Sequence, residues 1–141
     1  MKYVLDTSAV IKCVIPETDS LKVIRLVEEY IQAIHELIAP DLFSSEVANV
    51  LMMAERTGKI RAGEALAFFH DILSASPVCY AATPLLPRAI EIALTFRQSA
   101  YDCLFVALAE REGCELVTAD DKLIKAIGAA MPFVISVASL P

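Results

Sequence analysis

A chain of 141 residues that is 57% hydrophobic and 21% charged can bury a full core without disulfides or a structural metal, and it is too apolar to be disordered. We expect a single domain spanning residues 1–141. The formal net charge of −6 argues against tight, nonspecific binding to duplex nucleic acid, which calls for a basic surface.

The longest uncharged stretches, 72–87 and 126–141, are interrupted by prolines or Gly128. They fall short of the ~20 apolar residues of a membrane span. Asp6 and Lys12 break up any signal-peptide core near the start, so no membrane association and a cytoplasmic location are expected. Cys13, Cys79, Cys103 and Cys114 are widely spaced, without a Cys-x-x-Cys pair. All four read as small buried hydrophobes rather than as a zinc or disulfide framework. His35 and His70 lack partners at ligand spacing, and His70 reads as a helix-surface residue.

In chain order, Lys2-Tyr3-Val4-Leu5 reads as a buried first strand ending at Asp6. Thr7 and Ser8 mark a turn into a short apolar segment over 9–15, stopped by Pro16. Asp19 and Ser20 can cap a helix over 21–35, in which Val23, Leu26, Val27, Tyr30 and Ile34 recur at helical spacing. Leu37-Ile38-Ala39 gives a second strand, and helices follow over 42–57 and 61–73. Val78-Cys79-Tyr80 makes a third strand, and residues 86–96 and 102–112 two further helices. Residues 115–118 make a fourth strand, a last short helix runs from Asp120-Asp121 to about Gly128, and Phe133-Val134-Ile135 closes as a fifth strand. Short apolar strands alternating with longer amphipathic helices predict an α/β fold, with a mostly parallel sheet of about five strands covered on both faces.

Most of the 18 acids fall on polar helix faces or at helix ends. Asp6, Glu46, Asp102 and Asp120 fit that description less easily. Asp6 and Asp120 each follow a predicted strand, and in parallel α/β sheets ligands gather beyond the carboxyl ends of strands. Glu46 and Asp102 fall in the first turns of helices, where the backbone dipole favours ionised acids. Four carboxylates in one cleft are tolerable if some are protonated or if cations bind between them. An all-oxygen donor set without clustered His or Cys favours a hard ion, Mg²⁺ or Mn²⁺. Ions held in this way suit cleavage of a phosphodiester by in-line displacement. The rival reading is four unrelated caps and surface acids.

The text around each acid resembles the PIN-domain family, and within it the VapC-type toxin ribonucleases of toxin–antitoxin pairs. Val4-Leu5-Asp6-Thr7-Ser8-Ala9-Val10-Ile11-Lys12 is similar to the first family motif and Pro40-Asp41-Leu42-Phe43-Ser44-Ser45-Glu46-Val47-Ala48-Asn49-Val50-Leu51 to the second. Ala100-Tyr101-Asp102-Cys103-Leu104-Phe105-Val106-Ala107-Leu108-Ala109 resembles the third, and Leu116-Val117-Thr118-Ala119-Asp120-Asp121-Lys122-Leu123 the fourth. The resemblance implies a PIN-like three-layer α/β/α sandwich with metal-binding, catalytic roles for Asp6, Glu46, Asp102 and Asp120. It puts the fourth ligand at Asp120 and leaves Asp121 as a helix cap. Thr7, Ser8 and Thr118 would orient carboxylates or metal-bound water, or else simply form turns. Asn49, three residues after Glu46, would face the same cleft. Lys12 would reach a substrate phosphate or offset the acidic rim. The implied activity is hydrolysis of single-stranded RNA, with a homodimer and a small antitoxin as protein partners.

With four acids set aside as ligands, the remaining charge is −2, and the bound cations would reverse the field at the site. Arg56, Lys59 and Arg61 around Gly58 read either as a solvated loop or as an RNA-backbone contact. Val50, Leu51, Met52 and Met53 exceed a single core stripe and suit either burial or a partner groove. Other functions are weaker fits. A phosphatase of the haloacid-dehalogenase type needs an acid at position 8, where Ser8 stands, and a receiver domain needs an acidic pair after the first strand. A silent PIN-like binding module is not favoured while all four acids are present. A flap-nuclease-like enzyme needs insertions for which the chain has no room.

Overall fold

The first strand, buried over three of its four residues, lies at the centre of the sheet. In the computed structural model, which describes residues 1–141, β1 (Lys2–Leu5) has Val4 and Leu5 fully buried. The fold then runs α1 (Thr7–Val10), α2 (Ser20–Ile31), β2 (Glu36–Pro40), α3 (Phe43–Arg56), α4 (Glu64–Leu73) and β3 (Val78–Tyr80). It continues through α5 (Leu86–Phe96), α6 (Ala100–Glu112), β4 (Glu115–Thr118), α7 (Asp121–Ile127) and β5 (Val134–Ser136). All four strand pairings are parallel, in the order β3-β2-β1-β4-β5. This is the expected α/β fold around a parallel five-stranded sheet. No helix is long and apolar enough to cross a membrane.

The strand order explains where a site forms. From β1 the chain steps outward to β2 and β3, then returns across the sheet to β4 and β5 on the other side. Because parallel crossovers are right-handed, the two directions of travel put their helices on opposite faces. The reversal falls between β1 and β4, which makes the crevice above their carboxyl ends the natural ligand position. Leu5 is in register with Val117, so the residues that follow, Asp6 and Thr118, emerge side by side.

α6 fixes one wall of that crevice. Cys103 through Ala109 are all buried, because the helix lies against β1, β2 and β4 and is covered in turn by α5. A helix apolar all round is stable only in such a sandwiched position. The apolar residues form one contiguous core of 35 buried side chains, with Phe43 and Phe105 the largest that are fully enclosed.

Several boundaries depart from the sequence expectation for local reasons. The helix expected to reach His35 ends at Ile31, and Ile34 is exposed. Ala33 takes a left-handed conformation (φ 60°), its N–H donates to the Tyr30 carbonyl (2.9 Å), and the Ile34 N–H donates to that of Glu29 (2.8 Å). This is a Schellman stop built without the glycine that normally announces one. α4 begins at Glu64 rather than near Arg61, and Glu55 of the preceding helix accepts from the N–H groups of Gly63 and Ala65 at its start. The apolar segment after Ser8 splits into α1 and a 3₁₀ turn over Ile11–Cys13. α6 starts earlier than Asp102, at Ala100, and β5 one residue later than Phe133. The expectation for the cysteines holds fully only at Cys103. Cys79 is exposed, since β3 is an edge strand, and Cys13 and Cys114 are half-buried. His70 is exposed on α4, as expected.

Candidate active site

Asp6 sits where β1 gives way to α1, and it is buried. Its Oδ2 accepts from Ser8 Oγ and Thr118 Oγ1, each at 2.7 Å. Those hydroxyls are held in turn. Ser8 Oγ accepts from the Ala119 N–H (3.0 Å) and Thr118 Oγ1 from the Asp120 N–H (3.0 Å). The loop after β4 is thereby tied to the loop after β1, and the aspartate lies between them. Thr7 reaches the other way, donating from Oγ1 to Glu46 Oε1 (3.2 Å).

The other three acids stand at helix N-termini. Glu46 is in the first turn of α3. Asp102 is in the first turn of α6, where Ser99 caps the helix by accepting from the Asp102 N–H (3.1 Å). Asp120 itself caps α7, its Oδ1 accepting from the N–H groups of Lys122 (3.0 Å) and Leu123 (3.2 Å). This corrects the sequence expectation, which gave the cap to Asp121. Asp121 is the first helical residue and is exposed. The β-region backbone of Asp120 (φ −85°, ψ 97°) is the N-cap conformation, so one side chain both starts the helix and faces the cavity. The positive ends of three helices thus point at a common space, which eases the grouping of the acids.

That space is a cavity of about 300 Å³ lined by Asp6, Glu46, Asp102 and Asp120 together with Thr7, Ser8 and Lys12. Glu17, Ile11 and Val50 complete the wall. Glu17 was missed by sequence reasoning because it lies in a loop outside any motif; its one hint is an acid five residues after Lys12. Thr118, wholly buried, acts from beneath the cavity through Asp6. Asn49 is exposed and lines an adjoining groove with Glu46, Val50 and Tyr101 rather than the carboxylate cavity. Of the basic cluster near Gly58, Lys59 reaches the cavity edge by donating to Glu17 (3.1 Å).

Burial and mutual repulsion leave these acids poorly compensated. Asp6 is pushed above the usual carboxylate range by burial, against the pull of Ser8 and Thr118, and the charge of Asp102 adds to the rise. Glu46 is pushed up to about 7 by burial, opposed by Thr7, with Asp6 and Asp102 raising it further. Asp102 is raised by burial, with Ser99 opposing and the charge of Asp120 adding to the rise. Lys12 is the one cation lining the cavity. No three of the chain's Asp, Glu, His or Cys groups stand close enough together to hold an ion. Like charges on facing walls repel, which favours arrangements that keep them apart. The donors still fit a hard divalent cation, being all oxygen and short of positive charge, but they would have to turn inward to share one.

Thr118 allows a test of this support. Thr118→Val keeps the shape but strips the donor from Asp6 and the acceptor from the Asp120 N–H. Leaving buried polar groups unpaired costs about 1–3 kcal/mol, so the urea midpoint should fall accordingly. An unchanged midpoint would make the hydroxyl dispensable.

Comparison with known proteins agrees with the fold. The PIN domain family model matches residues 3–129. Ribonuclease VapC3 of Pyrobaculum aerophilum is 35% identical over 126 residues, covering 87% of this chain and 92% of that protein. A Pyrobaculum aerophilum protein known from a crystal structure superposes with a TM-score of 0.70 at 24% identity, over 99% of this chain and 94% of that one. A toxin–antitoxin complex from Klebsiella pneumoniae gives 0.61 at 14% identity, over 96% and 97% of the two chains.

Proposed function

Because this chain belongs to the PIN domain family, we propose that it is a Mg²⁺- or Mn²⁺-dependent endoribonuclease that hydrolyses phosphodiester bonds of single-stranded RNA. The observation that carries this reading is the meeting of Asp6, Glu46, Asp102 and Asp120 on one cavity at the β1/β4 reversal. Residues 1–141 act as one domain in the cytoplasm, as the toxin of a toxin–antitoxin pair. The protein partners are a small antitoxin and a second copy of the chain. The similarity to Ribonuclease VapC3 supports the chemistry, and the likeness to a toxin–antitoxin complex supports the pairing.

The four carboxylates would hold the cation, which supplies charge neutralisation at the scissile phosphate and activation of water. The chain's own residues prepare the cavity. Ser8 and Thr118 fix one face of the Asp6 carboxylate, and Thr7 steadies Glu46. Asp120 is oriented by the two N–H groups it caps. Lys12 offers its ammonium to a substrate phosphate at the rim, and Asn49 lies in the groove along which RNA would leave the cavity.

The test is direct. Purified protein supplied with Mg²⁺ or Mn²⁺ should cleave a mixed single-stranded RNA pool, and EDTA should abolish the cleavage. Cleavage undiminished by EDTA, or none with either ion, would overturn the proposal.

A further inference from the structure

The cavity wall carries one pair of opposite charges, and that pair is shared with a segment outside it. Lys12 Nζ donates to Glu17 Oε2 (3.4 Å) and to the Thr18 carbonyl (2.9 Å). Lys59, in the loop after α3, donates to Glu17 Oε1 (3.1 Å). Each oxygen of one carboxylate thus takes one lysine. Lys59 and, less strongly, Lys12 hold the Glu17 carboxyl below its usual range against the opposing effect of burial. The Lys12 side chain is only 13% exposed, whereas those of Glu17 and Lys59 are 46% and 57% exposed.

A carboxylate bridged by two ammonium groups has the charge and the paired oxygens of a phosphodiester. It stands beside the only cation of a cavity that otherwise presents acids. The Glu17 and Lys59 side chains are exposed, and Glu17 stands 3.4 Å from Lys12; ion pairs with a solvated partner add little to stability, so the bridge yields readily to a competing anion. We propose that Glu17 is an internal competitor for RNA phosphate, a displaceable clasp that occupies Lys12 and Lys59 until a phosphate of the bound strand replaces it. The inference rests on the ribonuclease reading and adds a control on substrate entry. When Glu17 swings out, Lys12 stays tethered by the Thr18 carbonyl and keeps its place at the rim. Lys59, with Arg61 two residues on, turns to the next phosphate along the strand. Short or weakly held anions fail to open the clasp, while a strand that engages both lysines succeeds.

The test compares Glu17→Gln with wild type, both in an Asp102→Asn background that blocks cleavage, with Mg²⁺ present. Fluorescence anisotropy would follow a labelled single-stranded oligoribonucleotide, and inorganic tripolyphosphate would serve as a second probe by displacing it or by calorimetry. Glu17→Gln should tighten RNA binding about three- to tenfold. The gain should vanish when Lys12 and Lys59 are both changed to methionine. Equal or weaker binding by Glu17→Gln, or a gain that survives loss of both lysines, would overturn the clasp. RNA cleavage by the wild-type chain without any gain from Glu17→Gln would overturn the clasp alone. A gain for tripolyphosphate with no RNA binding in any variant would uphold the clasp and overturn the ribonuclease reading instead.

Discussion

Asp6→Asn is expected to reduce RNA cleavage by at least about a thousandfold, equivalent to about 4 kcal/mol of barrier, while leaving the metal-free fold at least as stable as before. The two halves of this result have one cause. Asp6 is buried beside another carboxylate, and burial is the largest influence raising its proton affinity. Asparagine keeps an oxygen to accept from Ser8 and Thr118 but removes the charge a cation needs. Activity should therefore collapse without loss of structure. Steady-state cleavage assays combined with urea unfolding would separate the two. Wild-type cleavage by Asp6→Asn would remove this residue from the chemistry, and unfolding of the variant would show that its role is structural.

Thermal stability should depend on pH in a direction opposite to that of ordinary surface acids. Asp6, Glu46 and Asp102 all have raised folded-state proton affinities, so at these three sites the folded chain binds more protons than the unfolded one between the two values. Stability must then fall as pH rises from the unfolded carboxylate range, about 4, through the folded value of Glu46, about 7, and level off above it. For Glu46 alone the shift corresponds to an upper bound of about 3 kcal/mol; solvent screening of this half-open group reduces it to about 1 kcal/mol. A divalent cation binds the ionised forms, so it should restore at high pH what repulsion removes. In EDTA the melting temperature at pH 7.5 should lie below that at pH 5. Mg²⁺ at a hundred times its dissociation constant should add about 2.7 kcal/mol, roughly 8 °C for a chain of this size, at pH 7.5 and little at pH 5. Equal Mg²⁺ effects at both pH values would rule out binding through these acids.

Much of the fold was legible because hydrophobic periodicity is a local property. The central strand, the buried run that becomes α6 and the Glu115–Thr118 strand all declare themselves within a few residues. What escaped was set by tertiary geometry. The stop at Ala33 uses a left-handed alanine because the chain must turn into β2, and α4 starts late because Glu55 of α3 supplies its first acceptor. At the site, the four acids could be picked out as carboxylates following strands or opening helices, and the family resemblance sharpened the choice. The cap at Asp120 could not be told from one at Asp121, since both stand at the start of the same helix and only backbone conformation decides between them. Glu17 was illegible because its meaning depends on Lys59, distant in sequence and adjacent in space.

Electron paramagnetic resonance of Mn²⁺ examines the shared-ion arrangement without reference to any substrate, since protein binding depletes the sharp signal of the free ion. Wild-type protein should bind Mn²⁺ at neutral pH, and Asp6→Asn, Glu46→Gln, Asp102→Asn and Asp120→Asn should each weaken binding by about tenfold or more. A signal that stays at full height with millimolar wild-type protein, or four variants that bind as well as the parent, would mean that these carboxylates do not hold an ion together.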